Sequence, residues 1–428
     1  MVRTTGSIHA LAMVSACVLA PVGGLGDSIS LWFFGIAAGA AIPWYSRHGF
    51  GVLARPAVVL YGLFWLLVLA STAWSPPAAT PAGSAAWTLL AIPAVIPALH
   101  RPGLVLWPIA IGVAVQAAIQ AGGAAGLIES PGERAWRSSP GLYWYPASVA
   151  VWSVTGLLVS LGLARVSGSA RSTLAAAGLG MLAAVGLVLT LNRAAWLAGG
   201  VGAFLLLARW LWQSRQSHRV GAAALLTLLP LAIAAAAFFG SKTVRYRVHT
   251  AVEEVAAVWQ SPAVAPGLHP SSFGMRLLWW RAGWDLMWTR PISGHGAGSI
   301  AESLARLEVR RPSGGAADVR GFITSNPHCS LTAAAIEQGV PGASLLLLTA
   351  IATAIGAWRR GASEIAMSGV GPAVIAMLLI GTVHAVLLEP YSATLAALLV
   401  AMSGAPHAAK GLGVDPARRC DTMRCEGD

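Results

Sequence analysis

Apolar runs about twenty residues long recur along most of this 428-residue chain, and the charged residues fall between them. About twenty apolar residues in a helix cross the hydrocarbon core of a bilayer. Only 10% of the residues are charged and 56% are hydrophobic, whereas a soluble domain carries about 25% charged residues. A water-soluble chain this apolar would have no way to cover its surface. The chain therefore reads as an all-α polytopic membrane protein, a single integral membrane domain over 1–428.

The candidate spans are 7–25, 29–45, 56–74, 85–99, 102–120, 143–164, 172–191, 194–212, 219–239, 340–358, 369–388 and 391–405. Twelve spans put both termini on the same side, and 240–328 becomes a long loop between the ninth and tenth. Residues 406–428 form a polar tail. With the N-terminus in the cytoplasm, fifteen of the 28 basic residues fall in cytoplasmic segments, among them Arg47, Arg101, Arg165, Arg209, Arg359 and Arg360. The short outside loops hold only Arg134, Arg137 and Arg193. The long loop holds the rest, and long loops are exempt from the positive-inside rule. This asymmetry supports both the number of spans and the orientation.

The net charge of +12 follows from the same placement. The basic residues are mostly single or paired between apolar runs, a topogenic pattern rather than a phosphate-tracking groove, so nucleic acid is excluded as a partner. Cys420 and Cys425 stand in the polar tail with no histidine near them, and two ligands do not close a zinc site. Val14-Ser15-Ala16-Cys17 resembles a lipoprotein cleavage box, but the apolar stretch continues past it through Val22, as a span would.

The long loop is the most informative stretch. Pro262, Pro266 and Pro270 break it, and 272–288 then places Arg276, Trp280, Trp284 and Met287 at helical spacing. Indoles favour the headgroup level of a membrane. The segment is read either as a helix lying in the outer interface or as one that packs on the bundle. Gly294, Gly296 and Gly298 follow as a tight turn; with no strand before it, this is not a nucleotide loop.

Asn326-Pro327 reads as an N-cap with proline at the first helical position. His328 would then lie in the first turn, where the helix dipole keeps imidazole neutral and free to act as a base. A structural histidine is the alternative. A continuous helix over 327–358 would be about 48 Å long, too long for one crossing, so Val340-Pro341-Gly342 is expected to interrupt it. His328 would then lie outside the hydrocarbon core. Arg193 stands in the short outside turn, against the charge rule, and its planar fork suits phosphate oxygens; a snorkelling arginine is the bland reading. Arg276 is the second candidate anion ligand. Glu337 lies nine residues after His328, so the two face apart, and a structural role is expected for it. His384, Glu389 and Tyr391 lie near the outer end of the eleventh span, where they could line a cavity or meet Arg193.

His328-Cys329, nine residues, then Gly339-Val340-Pro341-Gly342 resembles the H-[NSQ]-x9-G-x-x-G signature of O-antigen ligases. Arg193-Ala194-Ala195-Trp196-Leu197 is similar to the R-x3-L motif of that family, and the Arg276 segment with Pro291–Gly296 is similar to its loop. Cys329 departs from the usual Asn, Ser or Gln. The wider O-antigen ligase and O-antigen polymerase (Wzy-like) superfamily also contains protein O-oligosaccharyltransferases. The resemblance implies a GT-C-like fold and a metal-independent, inverting transferase in the bacterial inner membrane, with its active site facing the periplasm. The donor would be a glycan on undecaprenyl diphosphate, and the acceptor lipid A–core or another glycan. His328 would be catalytic, and Arg193 and Arg276 would bind the diphosphate. Glu337, Gly339, Gly342 and Glu389 would support them. No carboxylate cluster for Mg²⁺ is visible, and no cofactor is expected. A polymerase of the same fold is the first alternative. A glycolipid transporter is the second, but it would need ionisable residues at mid-membrane.

Overall fold

The computed structural model describes residues 2–22, 25–76, 87–99, 103–127, 146–167, 169–190, 192–213, 249, 253, 272–306, 329–360, 369–382 and 390–404. Among them every regular element is helical. In chain order the α-helices are α1 (Val2–Leu19), α2 (Leu25–His48), α3 (Pro56–Ser71), α4 (Ala91–Ala98), α5 (Gly103–Ala124), α6 (Pro146–Val166) and α7 (Ala170–Leu189). They continue with α8 (Arg193–Gln213), α9 (Ser272–Thr289), α10 (Ile300–Arg306), α11 (Ser330–Arg360), α12 (Val370–Gly381) and α13 (Pro390–Gly404).

Eight of these are long and apolar enough to cross a membrane: α1, α2, α3, α5, α6, α7, α8 and α11. The shorter α12 and α13 are also apolar. The chain is a multi-pass membrane protein. The segment expected to span over 85–99 is, in its described part, a 3-10 turn at Trp87–Leu90 followed by the eight residues of α4. Pro97 stands inside α4 and supplies no N–H to its ladder. Ala91, Ile92, Ala94, Val95 and Ile96 are all buried, and α2 and α13 pack against α4. A helix of this length fits within the bilayer where protein rather than lipid surrounds its ends. The expected ninth span, 219–239, and the tail, 406–428, lie outside the described residues.

The bundle is built around α6. Residues 147–156 of α6 are buried without a break, the pattern of a helix enclosed on all sides. Trp152 of α6, Tyr61, Phe64 and Trp65 of α3 and Phe34 of α2 are the largest fully buried side chains. α7 differs: Leu174, Met181, Leu182, Val185 and Val188 are exposed, the composition of a lipid-facing surface. Between membrane helices there is no hydrophobic gain on association, so close backbone approach through small residues holds them together. Gly369, just before α12, shows this. A Cβ there would stand 2.2 Å from the Leu158 carbonyl oxygen of α6.

Candidate functional site

α11 begins at Ser330. The Cys329 carbonyl accepts the first helical bond from the Ala333 N–H at 2.9 Å, and Cys329 itself is not helical. This corrects the expected start at Pro327. His328 lies outside the described residues.

The expected interruption of α11 is present, and it falls at Gly339 rather than at Val340-Pro341-Gly342. Gly339 has φ 71° and ψ −170°, a region essentially closed to residues with a side chain. In an unbroken helix the Ile336 and Glu337 carbonyls would accept from residues 340 and 341. Pro341 has no N–H, and the Val340 N–H turns away to the Pro291 carbonyl at 2.8 Å. Both carbonyls are thereby released, and the glycine-rich turn takes them. The His295 N–H donates to Ile336 O and the Gly296 N–H to Glu337 O, each at 2.9 Å. The Glu337 carboxylate completes the junction. It accepts from the Gly298 N–H at 3.0 Å and from the Gln338 side-chain amide at 3.2 Å.

The glycines of this junction are fixed by contact. A Cβ on Gly294 would lie 2.3 Å from Glu337 O, and one on Gly339 would lie 2.6 Å from Pro291 O and Ile292 O. Gly342 lets the helix restart: a Cβ there would lie 2.3 Å from Cβ of Gln338. The end of α3 holds the turn from the other side. The Trp74 indole N–H donates to Ser293 O at 3.1 Å, and the Ser75 hydroxyl donates to Ala297 O at 2.8 Å. Within the turn, His295 Nε2 lies 3.0 Å from Thr289 Oγ1 and 3.2 Å from Leu286 O, which suits an Nε2–H tautomer. Among the described residues, Ser299 Oγ and Gln338 Oε1 are buried without a partner.

α9 packs on the first segment of α11. A Cβ on Gly283 would meet Thr332 at 2.4 Å and Ile336 at 3.2 Å, and Leu286, Ala333, Ile336 and Ile300 form a small buried cluster. Because the turn after α9 reaches Ile336–Val340, the two helices run in the same direction. Arg276 lies seven residues before Gly283, about 10 Å at 1.5 Å per residue. That places it toward the end where α11 begins. Arg276 is half-buried, and burial pushes its guanidinium down from its ordinary value; arginine nevertheless stays charged. The packing of α9 on the bundle is the sequence reading that has a counterpart here. One face packs on α11, while Trp284 and Trp288 are 59% and 56% exposed and meet edge to face at 5.7 Å.

Arg193 is the first residue of α8. Asn192 caps this helix, its side-chain oxygen accepting from the Ala195 N–H at 3.2 Å. The Trp196 indole N–H donates back to Leu187 O of α7 at 2.9 Å. Arg193 is thus set at a rigid, capped corner between two long helices, with Ala195 buried and Leu197 facing outward. Glu389 and His384 lie outside the described residues.

Sequence reasoning missed Trp74, Ser75 and the Asn192 cap. The Asn-Arg order before an apolar run was a legible capping signal. Nothing local in 74–75 points to a partner more than two hundred residues away.

Residues 178–347 match the family model described as O-antigen ligase. The matched region spans Arg193, the α9–α11 junction and the Gly339–Gly342 break, and it supports the O-antigen ligase and Wzy-like superfamily. No curated protein matches the chain.

Proposed function

We propose, taking the O-antigen ligase family region at 178–347 in a multi-helix membrane bundle as the premise, that the chain transfers a glycan from undecaprenyl diphosphate to an acceptor hydroxyl. The family carries ligase- or polymerase-type glycan transfer. The finer reading is a ligase acting on lipid A–core, with twelve spans in a GT-C-like arrangement, both termini cytoplasmic and the active site facing the periplasm. The observation that carries it is that the matched stretch contains Arg193, Arg276 and His328 together.

In this reading the acceptor oxygen attacks the anomeric carbon from the face opposite the diphosphate. The new C–O bond forms as the bond to the carrier breaks, and configuration inverts. The diphosphate leaves with the bonding electron pair. His328 accepts the acceptor proton, a contribution of roughly 10²–10⁴ in rate. Arg193 and Arg276 hold the diphosphate and offset the charge that grows on it. Arg276 suits this role because a partly desolvated guanidinium binds an anion more strongly than a hydrated one. Glu337, Gly339 and Gly342 act through the backbone, by fixing α9 against α11. Glu389 is proposed as a further polar group at the same end.

The test is a deletion strain complemented with variants and read on a lipopolysaccharide gel. His328→Ala is expected to abolish long-chain material on lipid A while the protein still inserts. Arg276→Gln is expected to lower transfer more than Arg276→Lys. Normal long-chain product from His328→Ala would overturn the reading. A deletion that leaves a single repeat unit on lipid A would move the assignment to a polymerase.

A further inference from the structure

Two membrane-crossing helices carry their lipid-facing stripes up to the glycine turn. On α3, Val59, Leu63, Leu66 and Ala70 are exposed at steps of three and four residues, which is one stripe along a helix. α3 is long and apolar enough to cross the membrane, so this stripe meets lipid. Trp74 extends it, exposed in the 3-10 turn that ends the segment. On α11, Val340, Leu347, Leu348, Ile351 and Ile355 are exposed in the same way. Both stripes end on one short piece of chain. The Trp74 indole N–H donates to Ser293 O, and the Val340 N–H donates to Pro291 O. Ile292 stands between these two tied residues and is 80% exposed.

The chain leads from there back into α9. Trp288 and Trp284 lie four and eight residues before Ile292. Both are exposed, on the same face of α9, and their rings touch edge to face. The other face of α9 is occupied by α11, through Gly283 and Leu286. Asp285, Thr289 and Arg290 are exposed beside the indoles. Charged side chains are costly in the hydrocarbon core, whereas indoles gather at the headgroup level, where the ring is half wet. A surface that carries both, at the end of two membrane-crossing helices, fits the headgroup layer. Indoles also stack on sugars, but Ile292 is the most exposed of the group and has no polar atom to offer a sugar. Its burial in a lipid surface is favourable.

We infer that the second half of α9 and the turn after it dock onto the lipid surface. Trp284, Trp288, Trp74 and Ile292 sit at the depth of the glycerol and carbonyl groups, and Arg290 reaches the lipid phosphates. The contact fixes the depth of the break at Gly339, because turn and break are joined through their backbone bonds. It does not depend on the transfer reaction.

The test reconstitutes the full-length chain in bilayers of phosphatidylcholine and phosphatidylglycerol. Each bilayer carries one of two photoreactive phosphatidylcholines, with the diazirine beside the glycerol or at the end of the acyl chain, and adducts are mapped by peptide mass spectrometry. The shallow probe is expected to label 284–292 and Trp74, and the deep probe to label 63–66 of α3 and 347–351 of α11. Shallow adducts at Trp74 with none in 284–292 overturn the docking. Equal labelling of 284–292 by both probes puts the segment in the hydrocarbon and overturns the headgroup placement. Trp284→Gln combined with Trp288→Gln is expected to lose the shallow adducts in 284–292 and keep those at Trp74; unchanged adducts overturn the role of the indoles. Labelling of 284–292 by a water-soluble diazirine alone, blocked by an added oligosaccharide, would make this face a glycan platform and overturn the lipid assignment.

Discussion

The two ends of α11 solve opposite problems. At one end the helix breaks at Gly339, and the backbone groups released by the break are taken by a turn from a distant part of the chain. At the other end the helix is regular, but it faces an arginine with two buried nitrogens that nothing described satisfies. The first is finished by the chain itself. At the second, Nε and Nη1 of Arg209 are left without a hydrogen-bond partner among the described residues.

Gly339→Val tests the closed end hardest. It forces a branched side chain into a conformation open only to glycine, against the carbonyls of Pro291 and Ile292. The expected loss is roughly 3 kcal/mol or more, read as a lower unfolding temperature in detergent and as loss of transfer in the complemented strain. A variant with wild-type thermal stability would show that the break is not what holds the turn. Glu337→Gln is milder. It keeps the shape but weakens the charge-assisted bond from the Gly298 N–H, at about 1–2 kcal/mol. Hydrogen exchange is expected to speed up at Gly298 and stay slow at His295 and Gly296, whose partners are backbone carbonyls. Uniform acceleration across the turn would mean that the carboxylate, not the backbone, carries the junction. Trp74→Phe is the smallest change. Losing the bond to Ser293 costs about 1 kcal/mol, visible as a small thermal shift with transfer retained, and a large loss of transfer would give the end of α3 a direct part in the site.

Much of the fold could be read in advance because its cause is local. Apolar length marks α1, α2, α3, α5 to α8 and α11, since each must satisfy its own backbone inside lipid. The break in α11 was legible from length alone, a 31-residue helix being longer than one crossing needs. Its position was not. Proline drew the expectation to Val340–Gly342, but the strained residue is Gly339, because the turn needs the Val340 N–H for Pro291. The start of α11 was misread for a similar reason. Asn326-Pro327 has the form of a cap, and only the fold shows that Cys329 fills that position.

The sequence by itself determined the solvent of this protein, the placement of most of its helices and the residue types available for anion chemistry. Those follow from hydropathy and charge, which act over one or two turns. The tertiary structure alone decided which distant groups meet: Trp74 and Ser75 with the glycine turn, that turn with Glu337, and Arg209 with Trp358. Such pairings depend on how helices far apart in the chain are packed side by side. No local pattern encodes that register, because each partner looks ordinary until the other is beside it.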